Sequence, residues 1–234
     1  MRYDTILFDA DGTLLDFHRS EYEALSDALD QIGMPYDDEV IATYSRINDG
    51  LWKQLERGEI QKQELFYRRF EMFFDAYGFV WDSKDMAKRY MGALSTKGHL
   101  LEGAKELCEA LYGKVKMYIV TNGVDFIQKG RFAVCGISHC FEERFISDNI
   151  GFEKPRVEYF EAVAKQIPDF SKKRTLIVGD SLSSDIQGGI NYGIDTCWYN
   201  PCAKEIPEAM RGKITYVTKS FEQIRSLILE GVEK

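Results

Sequence analysis

Apolar and polar positions follow two different rhythms along this chain. Thr5-Ile6-Leu7-Phe8 is a short continuous apolar run, the pattern of a strand buried on both faces. From about Asp16 to about Lys97 the spacing is helical. Tyr22, Leu25, Ala28, Leu29 and Ile32 recur on one face, and the stretch ends at Gly33 with Pro35 just beyond. Leu51 and Leu55, then Leu65, Phe66, Arg69, Phe70 and Phe73, continue in that period, and residues 86–94 form another such stretch with no strand between. After Leu100 strands and helices alternate: strands at 116–120, 144–146, 175–178, 196–199 and an edge strand at 216–217, helices at 104–111, 126–135, 157–166, 186–192 and 221–230.

Alternation of this kind predicts an α/β fold, a three-layer, doubly wound parallel sheet of Rossmann-like type covered by helices on both faces. Residues 1–15 and 98–234 are expected to form this core, with residues 16–97 inserted as an all-helical cap, a plausible span for a small bundle. In such sheets ligands bind beyond the carboxyl ends of the strands. Asp9, Thr121 and Asp180 each follow a predicted strand and fall there.

Composition narrows the partners. With 44% hydrophobic and 29% charged residues the chain is ordinary globular material, and its net charge of −8 argues against a nucleic-acid backbone or an anionic membrane as partner. The cysteines, Cys108, Cys135, Cys140, Cys197 and Cys202, include no Cys-x-x-Cys pair and read as reduced thiols, although Cys135, His139 and Cys140 lie close enough in sequence to weigh as metal ligands. No stretch has the make-up of a signal peptide or the length of a membrane span, so a cytoplasmic protein is expected.

Two carboxylates two residues apart, in Phe8-Asp9-Ala10-Asp11-Gly12-Thr13, stand where the first strand gives way to a loop. An Asp after a strand is commonly a turn or cap residue. Asp-x-Asp-Gly-Thr is more restrictive, because four fixed positions at roughly 5% each seldom coincide by chance. Gly12 permits a positive φ that turns backbone N–H groups toward an anion. Asp9 is then a candidate nucleophile and Asp11 a candidate acid and base.

Asp180 and Asp185 form a second acidic pair in Gly179-Asp180-Ser181, where Ser181 or Ser184 can cap a helix. If these four carboxylates converge, each close pair repels by roughly 3 kcal/mol at about 5 Å and an effective dielectric near 20. A cation is required, and an all-oxygen ligand set points to Mg²⁺. Lys154, held extended by Pro155, can supply an ammonium to a phosphoryl group, and Thr121 and Asn122 can hold its oxygens by hydroxyl and backbone N–H.

Taken in this order, these motifs resemble those of the haloacid dehalogenase superfamily of aspartate-nucleophile phosphohydrolases, over essentially the whole chain. The resemblance implies that Asp9 attacks phosphorus. It implies that Asp11 is the acid and base and lends its backbone carbonyl to Mg²⁺, that Thr121 and Lys154 bind phosphate, and that Asp180 and Asp185 serve the metal, Asp185 either directly or from behind. Family members that cleave carbon–halogen bonds lack the second Asp, so Asp11 favours phosphate chemistry.

The cap is expected to choose the leaving group, hinging near Asp16-Phe17 and Lys97-Gly98. Most of its aromatic residues should be bundle core. Phe17, His18 and Trp52 are the candidates to face the site, Trp52 because Gly50 interrupts a helical pattern beside it. The stretches 179–189 and 195–201, with Leu51-Trp52 and residues 56–60, are similar to those of bacterial house-cleaning pyrimidine 5′-nucleotidases. That likeness implies a small phosphorylated substrate, a nucleoside monophosphate such as UMP, dUMP, dTMP or a noncanonical nucleotide. Phosphatases for a sugar phosphate, a sugar-acid phosphate or phosphoglycolate, a phosphomutase and a non-catalytic binding protein remain as alternatives. If Asp9 is the nucleophile, Asp9→Asn should lower turnover at least about a thousand-fold while leaving the melting temperature essentially intact; retained phosphate release contradicts covalent catalysis by this residue.

Overall fold

A computed structural model of the chain describes residues 2–231. Six parallel strands form one sheet in the order β3-β2-β1-β4-β5-β6: β1 Thr5–Phe8, β2 Lys116–Thr121, β3 Glu143–Ile146, β4 Thr175–Gly179, β5 Asp195–Tyr199 and β6 Tyr216–Thr218. The sequence runs outward on one side of β1 to β2 and β3, then returns to its other side for β4, β5 and β6. The topological switch therefore lies at β1, where such folds place their ligands.

Successive side chains of each strand enter different cores, as the period of two requires. Ile6, Phe8, Met117, Ile119, Leu176 and Val178 pack with the helices α5 (Ala104–Leu111), α6 (Asp125–Val134) and α10 (Phe221–Leu229). Leu7, Tyr118, Val120 and Ile177 face the opposite way, toward α8 (Val157–Ala164) and α9 (Gln187–Tyr192). Both faces of β1, β2 and β4 are thus apolar, which explains their continuous rather than alternating runs. A short α7 (Ser147–Ile150) follows β3, and a turn of π-helix over Leu182–Ile186 leads into α9.

Between β1 and α5 lie α1 (Phe17–Ile32), α2 (Asp38–Glu56), α3 (Lys62–Tyr77) and α4 (Ser83–Leu94). Asp16, Asp37 and Asp82 cap α1, α2 and α4 through their carboxylates, and Gly33 and Gly78, both left-handed, end α1 and α3. These helices bury a core of their own, built from Ala24, Leu25, Leu29, Tyr44, Phe70, Phe73, Met86 and Tyr90 among others. Two sequence expectations need amending. Tyr22, placed on the apolar stripe of α1, is 44% exposed, because its hydroxyl donates to Asp38 at the start of α2. Gly50 does not interrupt its helix; α2 continues through it.

The two connections between this bundle and the sheet run side by side. Leu15 and Leu100 form an antiparallel bridge, Asp16 N donates to His99 O at 2.9 Å, and Leu101 N donates to Leu14 O at 2.9 Å. Four cysteines, Cys108, Cys135, Cys140 and Cys197, are buried as free thiols, and burial raises the pKa of each; Cys202 is exposed. Among the described residues no helix is long and apolar enough to cross a membrane.

Space around the glycines yields a paired prediction. A Cβ at Gly189 would stand 2.6 Å from Thr196 Cγ2 and 2.7 Å from Ile177 Cγ2, whereas one at Gly50 meets nothing within 4 Å. Gly189→Ala should therefore destabilise the protein by about 1–3 kcal/mol. Gly50→Ala should stabilise it by roughly 0.5–1 kcal/mol. Chemical denaturation of both variants checks the opposite signs.

Candidate active site

Three strand ends build the site. Phe8 is in register with Ile119 of β2 and Val178 of β4, and Asp9 N donates to Val178 O at 2.9 Å, so Asp9 leaves the sheet between its two neighbours. The loop after it bends at Gly12, whose φ is +82°. A Cβ there would come within 2.7 Å of Asp180 Oδ2, so both the backbone angle and the close approach require glycine. Thr13, fully buried, ties the two strand ends together. Its Oγ1 lies 3.3 Å from Asp9 Oδ2 and 3.2 Å from Asp180 Oδ1, and it accepts from Asp180 N at 3.0 Å.

Lys154 enters from the loop between α7 and α8. Asn122, just past β2, clamps its backbone from both sides: Asn122 Nδ2 donates to Lys154 O at 2.9 Å and Lys154 N donates to Asn122 Oδ1 at 2.8 Å. The peptide bond to Pro155 is cis. With its backbone fixed, the buried ammonium spends its three donors on Asp9 Oδ1 at 2.7 Å, Asp185 Oδ1 at 2.6 Å and Val120 O at 2.7 Å. Burial alone would lower the Lys154 pKa, but Asp185 and Asp9 beside it more than reverse this and raise it. Lys154 is therefore a permanent cation.

Carboxylate oxygens of Asp9, Asp180 and Asp185 lie within 4.8 Å of one another. One ammonium faces them, so the group keeps an excess of negative charge. Burial, then repulsion from Asp185, push Asp180 up to about 7, and the same two causes raise Asp9 well above the usual carboxylate range despite Lys154. Carboxylates crowded enough to gain proton affinity, with oxygen as the only donor, suit a hard divalent cation such as Mg²⁺. Asp185 already uses both oxygens, accepting from Lys154 Nζ and from Ser181 N at 3.1 Å, and has no exposed area. Asp9 and Asp180 are the carboxylates free to face such a cation, with Asp185 supporting from behind.

The other expected residues are distributed as follows. The Asp11 carboxylate stands apart from the acidic group, held by Gln128 Nε2 at 2.6 Å and by an ion pair with Arg131. Thr121, 2% exposed at the end of β2, accepts from Gly123 N at 3.0 Å through its hydroxyl. The Asn122 side chain is committed to Lys154. Phe17 and Trp52 line a cavity of about 40 Å³ that reaches Asp11, whereas His18 is exposed on the first turn of α1 and is not among its lining residues.

Several further residues belong to this region, and single positions in the sequence do not announce them. Arg131, fully buried, joins Asp11 to the connection leading back from the bundle, donating from Nε to Lys97 O at 3.0 Å. Glu56, at the end of α2, accepts from Ser183 Oγ at 2.6 Å, and burial raises its pKa. Lys62, at the start of α3, donates to Gly123 O at 2.7 Å and pairs with Asp148. Their only sequence signal is a polar residue at or beside a helix end, or one helical turn from another, as with Gln128 and Arg131.

Known proteins resemble this chain along most of its length. The sequence model of the haloacid dehalogenase-like hydrolases matches residues 3–193. The putative HAD-hydrolase YfnB of Bacillus subtilis is 38% identical over 228 residues, 97% of this chain and 96% of that protein. The pyrimidine 5′-nucleotidases PynA of Streptococcus pneumoniae and YjjG of Escherichia coli are 39% and 30% identical, covering 96% and 97% of this chain and 94% and 99% of theirs. Among solved structures, magnesium-bound YfnB superposes with a TM-score of 0.93 at 37% identity, over 98% of this chain and all of that one. The L-2-haloacid dehalogenase of Xanthobacter autotrophicus shares the fold, with a TM-score of 0.76 at 16% identity, over 99% of this chain and 100% of that one. The matched span contains Asp9, Asp11, Thr121, Lys154, Asp180 and Asp185, and the chain belongs to the haloacid dehalogenase-like hydrolases.

Proposed function

We propose that this hydrolase cleaves phosphomonoesters through Asp9 and that its substrates are pyrimidine nucleoside 5′-monophosphates. The observation that carries the phosphatase reading is the buried Lys154 ammonium between Asp9 and Asp185, with a second carboxylate, Asp11, two residues beyond the nucleophile. The nucleotide reading is supported by full-length similarity to two proteins named as pyrimidine 5′-nucleotidases and by the aromatic residues, Phe17, Trp52 and Phe66, lining the cavity beside Asp11.

In this mechanism an Asp9 carboxylate oxygen attacks phosphorus and the ester oxygen leaves with a proton from Asp11, releasing the nucleoside. Lys154, the Thr121 hydroxyl and the backbone N–H groups after β2 hold the phosphoryl oxygens. Water then attacks phosphorus with Asp11 as base, the bond to the Asp9 oxygen breaks, and inorganic phosphate departs with Asp9 restored. Mg²⁺ held by Asp9 and Asp180, with Asp185 behind them and the Asp11 backbone carbonyl alongside, would offset the charge of the phosphate and the carboxylates. For Asp11 to act it must leave Arg131 and Gln128 and turn toward Asp9, a movement the helical insertion can govern as a cap that opens and closes over the site. Trp52, Phe17 and Phe66 offer faces for the base of the leaving group.

Phosphate release across UMP, dUMP, dTMP, purine monophosphates, sugar phosphates and phosphoglycolate tests this reading. Pyrimidine monophosphates should give the highest kcat/KM, with activity lost in chelator and regained with Mg²⁺; a preference for sugar phosphates discards the nucleotidase assignment. The acidic group adds a pH prediction. Asp9 and Asp180 bind protons more tightly folded than unfolded, so their contribution to stability falls as pH rises from about 4 toward 7. A cation that needs the deprotonated carboxylates should restore stability most at high pH. Mg²⁺ should therefore raise the melting temperature more at pH 7.5 than at pH 5.5, and an equal or reversed increment contradicts the assigned ligands.

A further inference from the structure

Arg69 is a costly residue to place where it lies. It sits on α3 inside the helical bundle, 3% exposed, with its guanidinium 4.7 Å from the centre of the Tyr90 ring. Its Nε donates to Phe66 O at 3.3 Å and its Nη1 to Asn48 Oδ1 at 3.1 Å. Asn48 Nδ2 in turn donates to Glu21 Oε1 at 2.8 Å, and Glu21 Oε2 accepts from Ser45 Oγ at 2.6 Å. A buried carboxylate thus answers the buried cation only through an amide, and the chain of contacts fixes where the guanidinium points. Among the described residues Nη2 donates to no protein atom. Nη2 is not sealed in the bundle core but is left open, and a core position gains nothing from such a donor that methionine or leucine would not supply more cheaply.

Arg69 lines the same cavity as Phe17, Trp52, Phe66, Gln128 and Asp11. A buried group without a partner belongs to that lining too. Gln128 is 2% exposed, and its Oε1 is buried without a hydrogen-bond partner. While Asp11 rests beside it as a carboxylate, the amide keeps this orientation, because Nε2 faces an oxygen that can only accept. Gly123 has no side chain to relieve it either: a Cβ there would collide with the Gln128 amide. A buried acceptor without a partner and an open donor on the walls of one aromatic cavity describe the polar edge of an absent ligand. That edge carries a carbonyl for Arg69 and an N–H for Gln128 on a flat ring.

Resting on the reading that the leaving group is a nucleoside, we propose that this cavity seats its base, with Arg69 Nη2 donating to a ring carbonyl and Gln128 Oε1 accepting the adjacent ring N–H of an oxopyrimidine. Uracil and thymine present that pair at C=O and N3–H. Neutral cytosine presents a lone pair at N3 and is disfavoured. At about 40 Å³ the closed cavity has room for water rather than a ring. A ring is seated when α2 and α3 draw back and widen the cavity, which releases the Glu56–Ser183 and Lys62–Asp148 contacts.

Kinetics of the wild type and Arg69→Met on UMP, N3-methyl-UMP, CMP and ribose 5-phosphate test the assignment, since the last keeps sugar and phosphate without a base. N3-methylation, and separately Arg69→Met, should each lower kcat/KM for UMP by roughly 10- to 100-fold. CMP should fall below UMP for the wild type. Ribose 5-phosphate should change by less than about threefold between the two enzymes. Equal losses on UMP and ribose 5-phosphate in a variant of unchanged melting temperature overturn the role of Arg69. UMP turned over no faster than N3-methyl-UMP by the wild type overturns the imide edge, and this comparison decides alone if the variant does not fold. A wild type that hydrolyses no nucleotide overturns the nucleotidase reading and this assignment together, whereas UMP turnover without the N3-methyl penalty overturns only the assignment.

Discussion

A single buried ammonium makes the rest of the site possible. Lys154 stands between Asp9 and Asp185 with Val120 O as its third acceptor, and all these groups lie at the ends or just beyond the ends of β1, β2 and β4. Without it, carboxylates at these distances would repel one another inside a site that burial has already made unfavourable for charge. Asn122 keeps the ammonium in place by gripping the Lys154 backbone, so the loop after β2 positions the cation even though its own side chain never reaches the acidic group. The balance is deliberately incomplete. Three carboxylates facing one lysine leave net negative charge, an arrangement that suits a divalent cation.

Most of the framework was legible in the residues. Continuous apolar runs mark β1, β2 and β4 because both their faces are covered, and the helical period of residues 16–97 marks a bundle because Leu25, Leu29, Phe70 and Phe73 share one interior. The acidic residues were legible because each follows a strand, where the fold itself supplies the meaning. Gln128, Arg131, Glu56 and Lys62 were not. Each is a polar residue of an ordinary helix, and its role arises from partners far off in sequence: Arg131 meets Asp11 across 120 residues and Glu56 meets Ser183 across 127. His18 shows the converse. It adjoins the hinge in sequence, yet the first turn of α1 carries it outward while Phe17 turns in.

Asp11 links the chemistry to the position of the bundle. Its carboxylate is held by Gln128, a wall of the cavity, and by Arg131, which also grips the Lys97 carbonyl and approaches Ser20 Oγ at 3.4 Å. Gly98 and Gly130 make this closeness possible. A Cβ on Gly98 would collide with Arg131 O, and one on Gly130 with Ser95 O, so α6 lies directly against the returning connection. A shift of that connection is therefore felt at the carboxylate proposed to deliver the proton. In the proposed mechanism, proton delivery and closure over the leaving group then respond to one movement.

The paired connections at Leu15 and Leu100 carry a consequence for how such enzymes diversify. Outgoing and returning chains leave the core as adjacent, hydrogen-bonded backbones, so the helical insertion has the topology of a plug on a two-wire lead. The residues proposed to face the leaving group from Trp52 to Arg69 travel on the plug, while Asp9, Lys154, Asp180 and Gln128 stay in the socket. A different bundle whose ends arrive equally close together can be exchanged there without disturbing a single strand register. Substrate range and bond-breaking chemistry are in that sense separately inheritable parts of one polypeptide.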